Sequence, residues 1–310
     1  MLKYVVVPLL LLGAGAVQAQ DTLAYDVITL RMPAAVRSAG LNGAGAALVG
    51  TAGAVFSNPA GLATISNLAM EGGYQEGYGG RTISTAAMAW RMRQFNIGFG
   101  VQHTNFESPF FYDPLTAKIG VPDELTSVGT LVYRFGMIAV GGSVRYARRR
   151  TKTEIEPGVL DQGVFERGLS GDVGITIAFF DIMALGFSVQ NVTDNFWTDS
   201  EMVMPRLSRF GFTMNYTDPL EEFRLLSTLE VQWPEGLRAQ WLLGGEAGIV
   251  VAKIGVVGRL AYRTRADYSE RASVTYGVTL ELSFADVDFA YEPHEFLDTA
   301  SRRIGARIGL

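Results

Sequence analysis

Residues 94–102 read QFNIGFGVQ, in which every second residue is large and apolar and the residues between are small or polar. Successive side chains of a β-strand point to opposite faces, so this stretch predicts a strand with one apolar face and one polar face. The same alternation returns in stretches 138–146, 169–179, 210–216, 223–233, 254–262 and 274–282. Repeated over most of the chain, it predicts an all-β fold of about fourteen strands.

The lengths of these strands and of their connections indicate a transmembrane barrel. Each strand takes about 9–12 residues, which is enough to cross a bilayer when the strand is tilted. Tight turns, such as Phe135-Gly136, alternate along the chain with longer polar or aromatic loops, as is typical of outer-membrane barrels. A soluble β-sandwich is the rival architecture, but its outward face would carry Lys and Glu, whereas the polar positions here hold mainly Gly, Ala, Ser, Thr, Asn and Gln. We therefore expect a transmembrane antiparallel β-barrel of about 14 strands over residues 67–310.

Composition excludes several classes of function. The chain has 310 residues, a formal net charge of −5, 36 glycines and no cysteine. Without cysteine there is no disulfide framework, no thiolate metal site and no Cys nucleophile. The acidic balance argues against a nucleic-acid partner, which would need a basic face. We expect no cofactor and no bound metal.

The first nineteen residues have the pattern of a secretory signal. Lys3 precedes an apolar run over residues 4–12, and Val17 and Ala19 put small residues at the positions that a signal peptidase reads. A transmembrane anchor would need a longer apolar core. The pattern predicts a signal peptide over residues 1–19, cleaved after Ala19, and delivery to the bacterial outer membrane.

Residues 20–66 do not alternate and are dense in Ala and Gly. Asn58 followed by Pro59 predicts a helix N-cap and a first helical position, with Ala60 and Gly61 continuing the turn. The apolar residues of the segment favour burial over a floppy periplasmic leader. We expect residues 20–66 to form an N-terminal hatch inside the barrel.

Three short blocks of this segment resemble a known family: residues 32–40 (MPAAVRSAG), 43–45 (GAG) and 54–62 (AVFSNPAGL). They resemble the N-terminus of the PorV/PorQ-type proteins, which belong with the FadL-type long-chain fatty acid transporters. The resemblance implies a fourteen-stranded outer-membrane barrel plugged by a hatch that contains Asn58, Pro59 and Ala60. It also implies passage of hydrophobic molecules, in part through a lateral opening beside a kinked strand.

Charged residues of both signs fall on the polar face of the predicted strands: Arg145, Asp172, Arg209, Arg224, Glu230, Glu246 and Arg259. One interpretation is an internal lattice of ion pairs that joins the barrel to the hatch. The other is a selectivity lining. Because the two signs are interleaved, we favour the lattice.

Two longer loops are rich in aromatic residues, namely Phe106, Phe110, Phe111 and Tyr112 in one loop and Phe196 and Trp197 in the other. Exposed apolar loops suggest a capture patch for a hydrophobic molecule, while an aromatic belt with mutual loop packing is the alternative.

Gly98 and Gly100 interrupt the third strand. They allow either a bend, where a lateral opening would form, or a close contact with the hatch.

No catalytic residues are expected. The two histidines are His103, which shares the apolar face of its strand, and His294, which we place in the last loop, and no oriented base–nucleophile pair can be named around either of them. We expect the protein to be a transport protein for hydrophobic small molecules, such as long-chain fatty acids, and not an enzyme. The alternative is a PorV-like shuttle or anchor of a type IX protein secretion system. Expected partners are outer-membrane lipid, a hydrophobic small-molecule ligand and, under the alternative, secretion-system or secreted proteins.

Overall fold

The computed structural model describes residues 28–77, 80–106, 111–113, 118–156, 159–160, 164–179, 182–193, 196, 202, 204–217, 222–251, 254–264, 273–296 and 299–309. The predicted signal peptide lies outside the described residues. Within them, no helix is long and apolar enough to cross a membrane.

Within the described residues, four short helices precede the strands. Ile28–Arg31, Ala52–Phe56 and Pro59–Thr64 are 3-10 helices, and α1 (Val36–Gly40) is a single α-helical turn. The strands are β1 (Leu68–Glu76), β2 (Thr82–Met92), β3 (Phe95–Asn105), β4 (Phe111–Asp113), β5 (Lys118–Phe135), β6 (Ile138–Glu156), β7 (Val159–Leu160), β8 (Val164–Phe179), β9 (Met183–Gln190), β10 (Leu207–Thr217), β11 (Phe223–Pro234), β12 (Gln240–Val251), β13 (Ile254–Arg263), β14 (Ser273–Glu281), β15 (Asp286–Phe296) and β16 (Thr299–Gly309).

Fourteen of the described strands form a closed antiparallel ring. Neighbours in the ring follow chain order, with β3 paired to β5 and β6 paired to β8, and β1 pairs with β16 to close it. The two short strands β4 and β7 pair with β5 and β6 beyond the ring, on the side of the long loops. Closure leaves no open sheet edge, which a bilayer would not tolerate. The sequence prediction of a fourteen-stranded barrel is confirmed.

The connections at the two ends of the barrel differ in length. Turns of two to four residues join β2 to β3, β5 to β6 and β14 to β15 at one end. At the other end, 16 positions separate β9 from β10, and β5, β6 and β8 extend to 18, 19 and 16 residues. Short turns mark the periplasmic end of such barrels and long loops the extracellular end. The last connection, between β15 and β16, is shorter than the sequence suggested: His294 lies within β15 and not in a loop.

The outward face is apolar on every strand of the ring. Large apolar side chains lie exposed there, among them Trp90, Phe99, Leu131, Val144 and Leu260. Exposing such a continuous apolar surface to water would cost free energy, whereas contact with hydrocarbon does not. This face therefore meets lipid.

Candidate functional site

The N-terminal segment, residues 28–66, fills the interior of the barrel. Between residues 34 and 63 every residue is buried except Arg37, Ser38, Val49 and Gly50. The α1 turn contacts β13–β16, and the 3-10 helix Pro59–Thr64 contacts β3, β5, β6, β8 and β9 on the other side of the lumen. The segment therefore packs against inward-facing side chains around much of the ring.

Small residues on both sides allow this close packing. A Cβ atom at Gly174 would overlap the Asn58 side-chain oxygen, and one at Gly186 would overlap the Ala46 carbonyl. At Gly141 it would lie 2.9 Å from the Ala60 nitrogen. The inward glycines of the wall thus let the backbone of the segment approach without a gap.

Asn58 caps its helix as the sequence predicted and also ties the segment together. Its Oδ1 accepts a hydrogen bond from the Ala60 N–H at 3.1 Å, and Pro59 occupies the first position of the helix. Its Nδ2 donates to the Ala46 carbonyl at 2.6 Å and to Thr176 Oγ1 on β8 at 3.1 Å. Asn58 is fully buried, so these bonds satisfy polar atoms that water cannot reach.

The predicted lattice residues Arg145 and Asp172 form a buried ion pair on the inner face of β6 and β8. Arg145 Nη2 lies 2.7 Å from Asp172 Oδ2, and both side chains are almost completely buried. Arg145 also donates to the Phe56 carbonyl at 3.4 Å. Gln190 on β9 donates to the same carbonyl, so this part of the wall holds the end of the 3-10 helix Ala52–Phe56.

A second pair, Arg209 and Glu230, lies on β10 and β11. Their side chains are 3.1 Å apart. Arg209 donates to the Gly43 carbonyl at 2.9 Å, and Glu230 Oε2 accepts from the backbone N–H groups of Gly45 and Ala46 at 2.7 Å each. The carboxylate therefore replaces the water that these two N–H groups would otherwise bind.

A third cluster joins Glu246 and Arg259 to a residue that the sequence analysis did not single out, Arg37 of α1. Glu246 accepts from Arg259 Nε at 2.6 Å and from Arg37 Nη2 at 2.7 Å. Burial alone would lower the pKa of Arg37, but the Glu246 carboxylate outweighs burial and raises the pKa above its usual value. The guanidinium stays charged, and the pair fastens α1 to β12.

Arg224 differs from the other predicted lattice residues. It pairs with Glu281 at 2.7 Å, with 41% of its side chain exposed, and both residues belong to the wall. This pair lies near the short-turn end of β11 and β14, away from the contacts described above.

Gly98 and Gly100 face inward, and the structure shows why both are small. A Cβ atom at Gly100 would lie 2.5 Å from Val55, and one at Gly98 would overlap Leu62 and lie 2.8 Å from Val55. The register of β3 with β2 and with β5 continues through both glycines. In this state they serve as close contacts with the N-terminal segment.

Of the aromatic residues that the sequence analysis placed in two loops, the structure describes the side chains of Phe106 and Phe196. Phe106 is buried, because it continues the inward parity of Thr104 on β3. Phe196 is exposed at 57%. Phe111 and Tyr112 lie on β4, and Phe110 and Trp197 lie outside the described residues. Inclusion of Phe106 in an exposed patch is therefore wrong.

At the long-loop end of the barrel, Met202 and Met204 of the loop that holds Phe196, and Thr29 of the N-terminal segment, are buried among the described residues. Met202 and Met204 fold back between β9 and β10 and pack on Ala147 and Leu30. Thr29 donates its backbone N–H to the buried carboxylate of Glu124 at 2.8 Å. Glu124 falls on the alternate positions of β5 that point into the barrel, so the sequence predicts that it lies in the lumen. No sequence pattern identifies Thr29 as its partner.

Small cavities lie beside the N-terminal segment, and two of them are lined by described residues. One, of about 20 Å³, lies among Thr29, Pro33, Ser38, Gln102, Arg145 and Arg209. The other, of about 10 Å³, lies among Val36, Arg37, Glu71, Thr85, Asp288 and Arg307. A single water needs roughly 10–15 Å³ measured in this way, so neither cavity admits a hydrocarbon ligand in this state.

These features define a class of protein: a transmembrane β-barrel whose lumen is filled by its own N-terminal segment. No family model and no curated protein matches the sequence, but solved structures share its fold. They include the CymD monoaromatic hydrocarbon channel, with a TM-score of 0.63, 12% identity, and coverage of 94% of this chain and 99% of that one.

Two more similar structures carry the same kind of description. The toluene transporter TbuX of Ralstonia pickettii has a TM-score of 0.58 and 14% identity, over 89% of this chain and 96% of its own. A FadL homologue of Pseudomonas aeruginosa has a TM-score of 0.58 and 11% identity, over 92% and 99%. The FadL-like fold that the N-terminal blocks implied is confirmed.

Proposed function

We propose that this protein passes hydrophobic small molecules, such as long-chain fatty acids or monoaromatic hydrocarbons, across the bacterial outer membrane. The observation that carries the proposal is a barrel with the fold of hydrocarbon channels whose lumen is packed with protein. A wide water-filled lumen suits polar solutes, whereas a dry and gated one suits apolar solutes. The protein acts as a transporter and not as an enzyme.

In this proposal the N-terminal segment is a hatch that must rearrange to let the molecule through. Asn58, Pro59, Ala60 and Gly61 form its central turn, and the ion pairs of Arg145, Arg209 and Glu246 hold it in place. A lateral opening at Gly98 and Gly100 is the alternative route. A lateral opening requires β3 to separate locally from β2 or β5, because the backbone pairing of β3 with both strands is continuous in this state.

An engineered disulfide tests whether the hatch must move. A Cβ atom at Gly40 of α1 would lie 3.6 Å from Ala290 Cβ on β15, within the roughly 3.5–4.5 Å that a disulfide requires. The chain has no native cysteine, so Gly40→Cys/Ala290→Cys forms one defined link. We expect the oxidised protein in proteoliposomes to lose most uptake of labelled oleate and toluene, and reduction to restore it.

The single variants Gly40→Cys and Ala290→Cys are the matched controls, because each carries one substitution without the link. Both should transport as well as the reduced double variant does. Equal uptake by the oxidised and reduced double variant would show that α1 stays docked during transport. The hatch proposal would then fail, and the route would have to bypass the α1 side of the lumen.

The aromatic loops are proposed to capture the ligand. The double variant Phe111→Ser/Trp197→Ser should reduce uptake, while the folded barrel still resists heat in gel electrophoresis. Unchanged uptake rejects the patch.

For export, we propose cleavage after Ala19, so that mass spectrometry of the mature protein finds Gln20 at its N-terminus.

The secretion-shuttle alternative makes a different prediction. Purification from native membranes should then yield a stoichiometric protein partner, whereas a transporter should yield a bound apolar molecule. Mass spectrometry of the intact purified protein distinguishes the two functions.

A further inference from the structure

Glu71 is a carboxylate on the inner face of β1 that no ion pair neutralises. It lies between two parts of the N-terminal segment. On one side its carboxylate touches the backbone of Gly53, where a Cβ atom would overlap Oε1. On the other side it shares a cavity with Arg37 of α1. Its Oε2 is buried and has no hydrogen-bond partner among the described residues.

The charged neighbours of Glu71 are engaged with other partners. Arg37, Asp288 of β15 and Arg307 of β16 line the cavity of about 10 Å³ together with Glu71. Arg37 Nη2 lies 2.7 Å from Glu246, and Arg307 Nε lies 2.5 Å from Asp288. Glu71 therefore faces one carboxylate across the cavity, and the two cations there already have partners.

The charges of this cluster do not balance. Arg259 belongs to it, because its guanidinium lies 2.6 Å from Glu246 and 3.0 Å from Asp288. Asp286 also belongs to it, at 3.2 Å from Arg307. We call these residues the buried charge cluster, and it holds three guanidiniums and four carboxylates: Arg37, Arg259, Arg307, Glu71, Glu246, Asp286 and Asp288. One carboxylate is left without a compensating cation.

The other described elements around Glu71 do not supply that cation. β2 faces Glu71 with Ala87, and the 3-10 helix Ala52–Phe56 has no titratable residue. The neighbouring pair of Arg224 and Glu281, at 2.7 Å, is balanced in itself. An ionised carboxylate that lacks both a cation and water is costly, and it binds a proton instead. Glu71 has no ion pair, so it is the carboxylate of the cluster that takes the proton.

We propose that Glu71 is a pH-sensitive latch for the N-terminal segment. With a proton on Glu71 the buried charge cluster is neutral, and α1 and the 3-10 helix Ala52–Phe56 stay packed beside it. Loss of the proton leaves a charge near Asp288 that water must stabilise, which favours separation of the segment from the wall. A carboxyl group that holds its proton more tightly in the docked state stabilises docking at low pH, and this stabilisation is lost as the pH rises. The latch therefore opens toward higher pH.

Hydrogen exchange of residues 36–56 in nanodiscs tests the latch without a transport assay. After correction for the intrinsic rate of each amide, wild-type exchange should rise between about pH 5 and about pH 9. The rise should be up to about tenfold for each pH unit over which the docked and undocked states bind protons differently. Infrared spectra should show the carbonyl band of a protonated carboxyl group, and this band should disappear over the same range.

Glu71→Gln resembles the protonated form, so it should remove the infrared band and make exchange independent of pH. Asp286→Asn is the matched control, because it removes one carboxylate from the same cluster and keeps Glu71. Arg307 lies opposite Glu71 in the register of β1 and β16, and with one carboxylate fewer to bind it can face Glu71. The rise in exchange should then be smaller and end at a lower pH than in wild type.

A flat exchange profile of wild type overturns the latch, and so does a Glu71→Gln profile that matches wild type. The wild-type measurement decides even if a variant does not fold. The latch presupposes the proposed rearrangement of the N-terminal segment during transport, so uptake of toluene, which does not titrate, should follow the same pH profile. A pH-dependent exchange profile in a protein that takes up neither toluene nor oleate would support the latch and contradict the proposed transport.

Discussion

The two faces of β6 differ in both burial and charge. On β6 the outward Val144 is 58% exposed and meets lipid, while the next residue, Arg145, is 4% exposed and forms an ion pair with Asp172. Both lie at the same depth in the membrane. The difference teaches that burial does not exclude charge here: the lumen offers a charged partner and backbone carbonyls, and hydrocarbon offers neither.

The most damaging change should be loss of one partner inside the lumen. Asp172→Ala leaves the Arg145 guanidinium buried without its carboxylate and should lower the free energy of unfolding by about 3–5 kcal/mol. Urea unfolding in lipid vesicles measures the change. The double variant Arg145→Met/Asp172→Leu is the control and should be clearly more stable than Asp172→Ala; an equal loss would show that the charge of Arg145 is not the cause.

A charge on the outer face should come next. Val144→Arg puts a guanidinium inside the apolar part of β6, one outward residue below Tyr146, and should cost up to about 2–4 kcal/mol. The matched change Ile254→Arg lies at the short-turn end of β13, where the cost should fall to about 0–1 kcal/mol. The same unfolding assay compares them, and similar losses at the two sites would contradict the depth of the band inferred from exposure.

Asn58 tests the contacts between the barrel wall and the N-terminal segment. Asn58→Ala removes the helix cap and the hydrogen bonds to Ala46 and Thr176, with an expected loss of about 1–3 kcal/mol. Hydrogen exchange of residues 52–64 should accelerate more than that of the strands. Asn58→Asp retains the cap oxygen and loses the donor, so its effect should be smaller; uniform acceleration over the whole barrel would show that Asn58 does not act locally.

A glycine pair on the two faces of adjacent strands provides a change of similar size and a control with almost no effect. A Cβ atom at the inward Gly98 overlaps Leu62, whereas one at the outward Gly129 on β5 meets open space. Gly98→Ala should therefore cost about 1–3 kcal/mol, and Gly129→Ala should be neutral or slightly stabilising. If both variants have wild-type stability, the N-terminal segment adjusts at little cost beside Gly98, and close packing does not explain that glycine.

Much of the barrel was predictable from the sequence because alternation is a local property. Gln94 to Gln102 predict a strand and its two faces without reference to any other residue. The Asn58-Pro59 cap was predictable for the same reason, since it joins residues two apart. The inward position of Arg145, Asp172 and Glu230 follows from parity alone.

Contacts between distant residues were not predictable in this way. Arg37 carries no local signal that points to Glu246, 209 positions away, and Thr29 none that points to Glu124. Phe106 was assigned to an exposed loop because the sequence does not show where β3 ends, and its inward parity buries it. Met202 and Met204 are buried because they pack against β8, Ala147 and Leu30, and these contacts join residues far apart in the chain.

A barrel of about fourteen strands with an apolar outside and a polar inside follows from the order of the residues alone, because the alternation and the number of strands are properties of consecutive residues. Tertiary structure decided what fills that barrel. Which carboxylate meets Gly45 and which glycine admits Asn58 depend on strand register and on the path of the N-terminal segment. Both are set by packing among residues far apart in the chain.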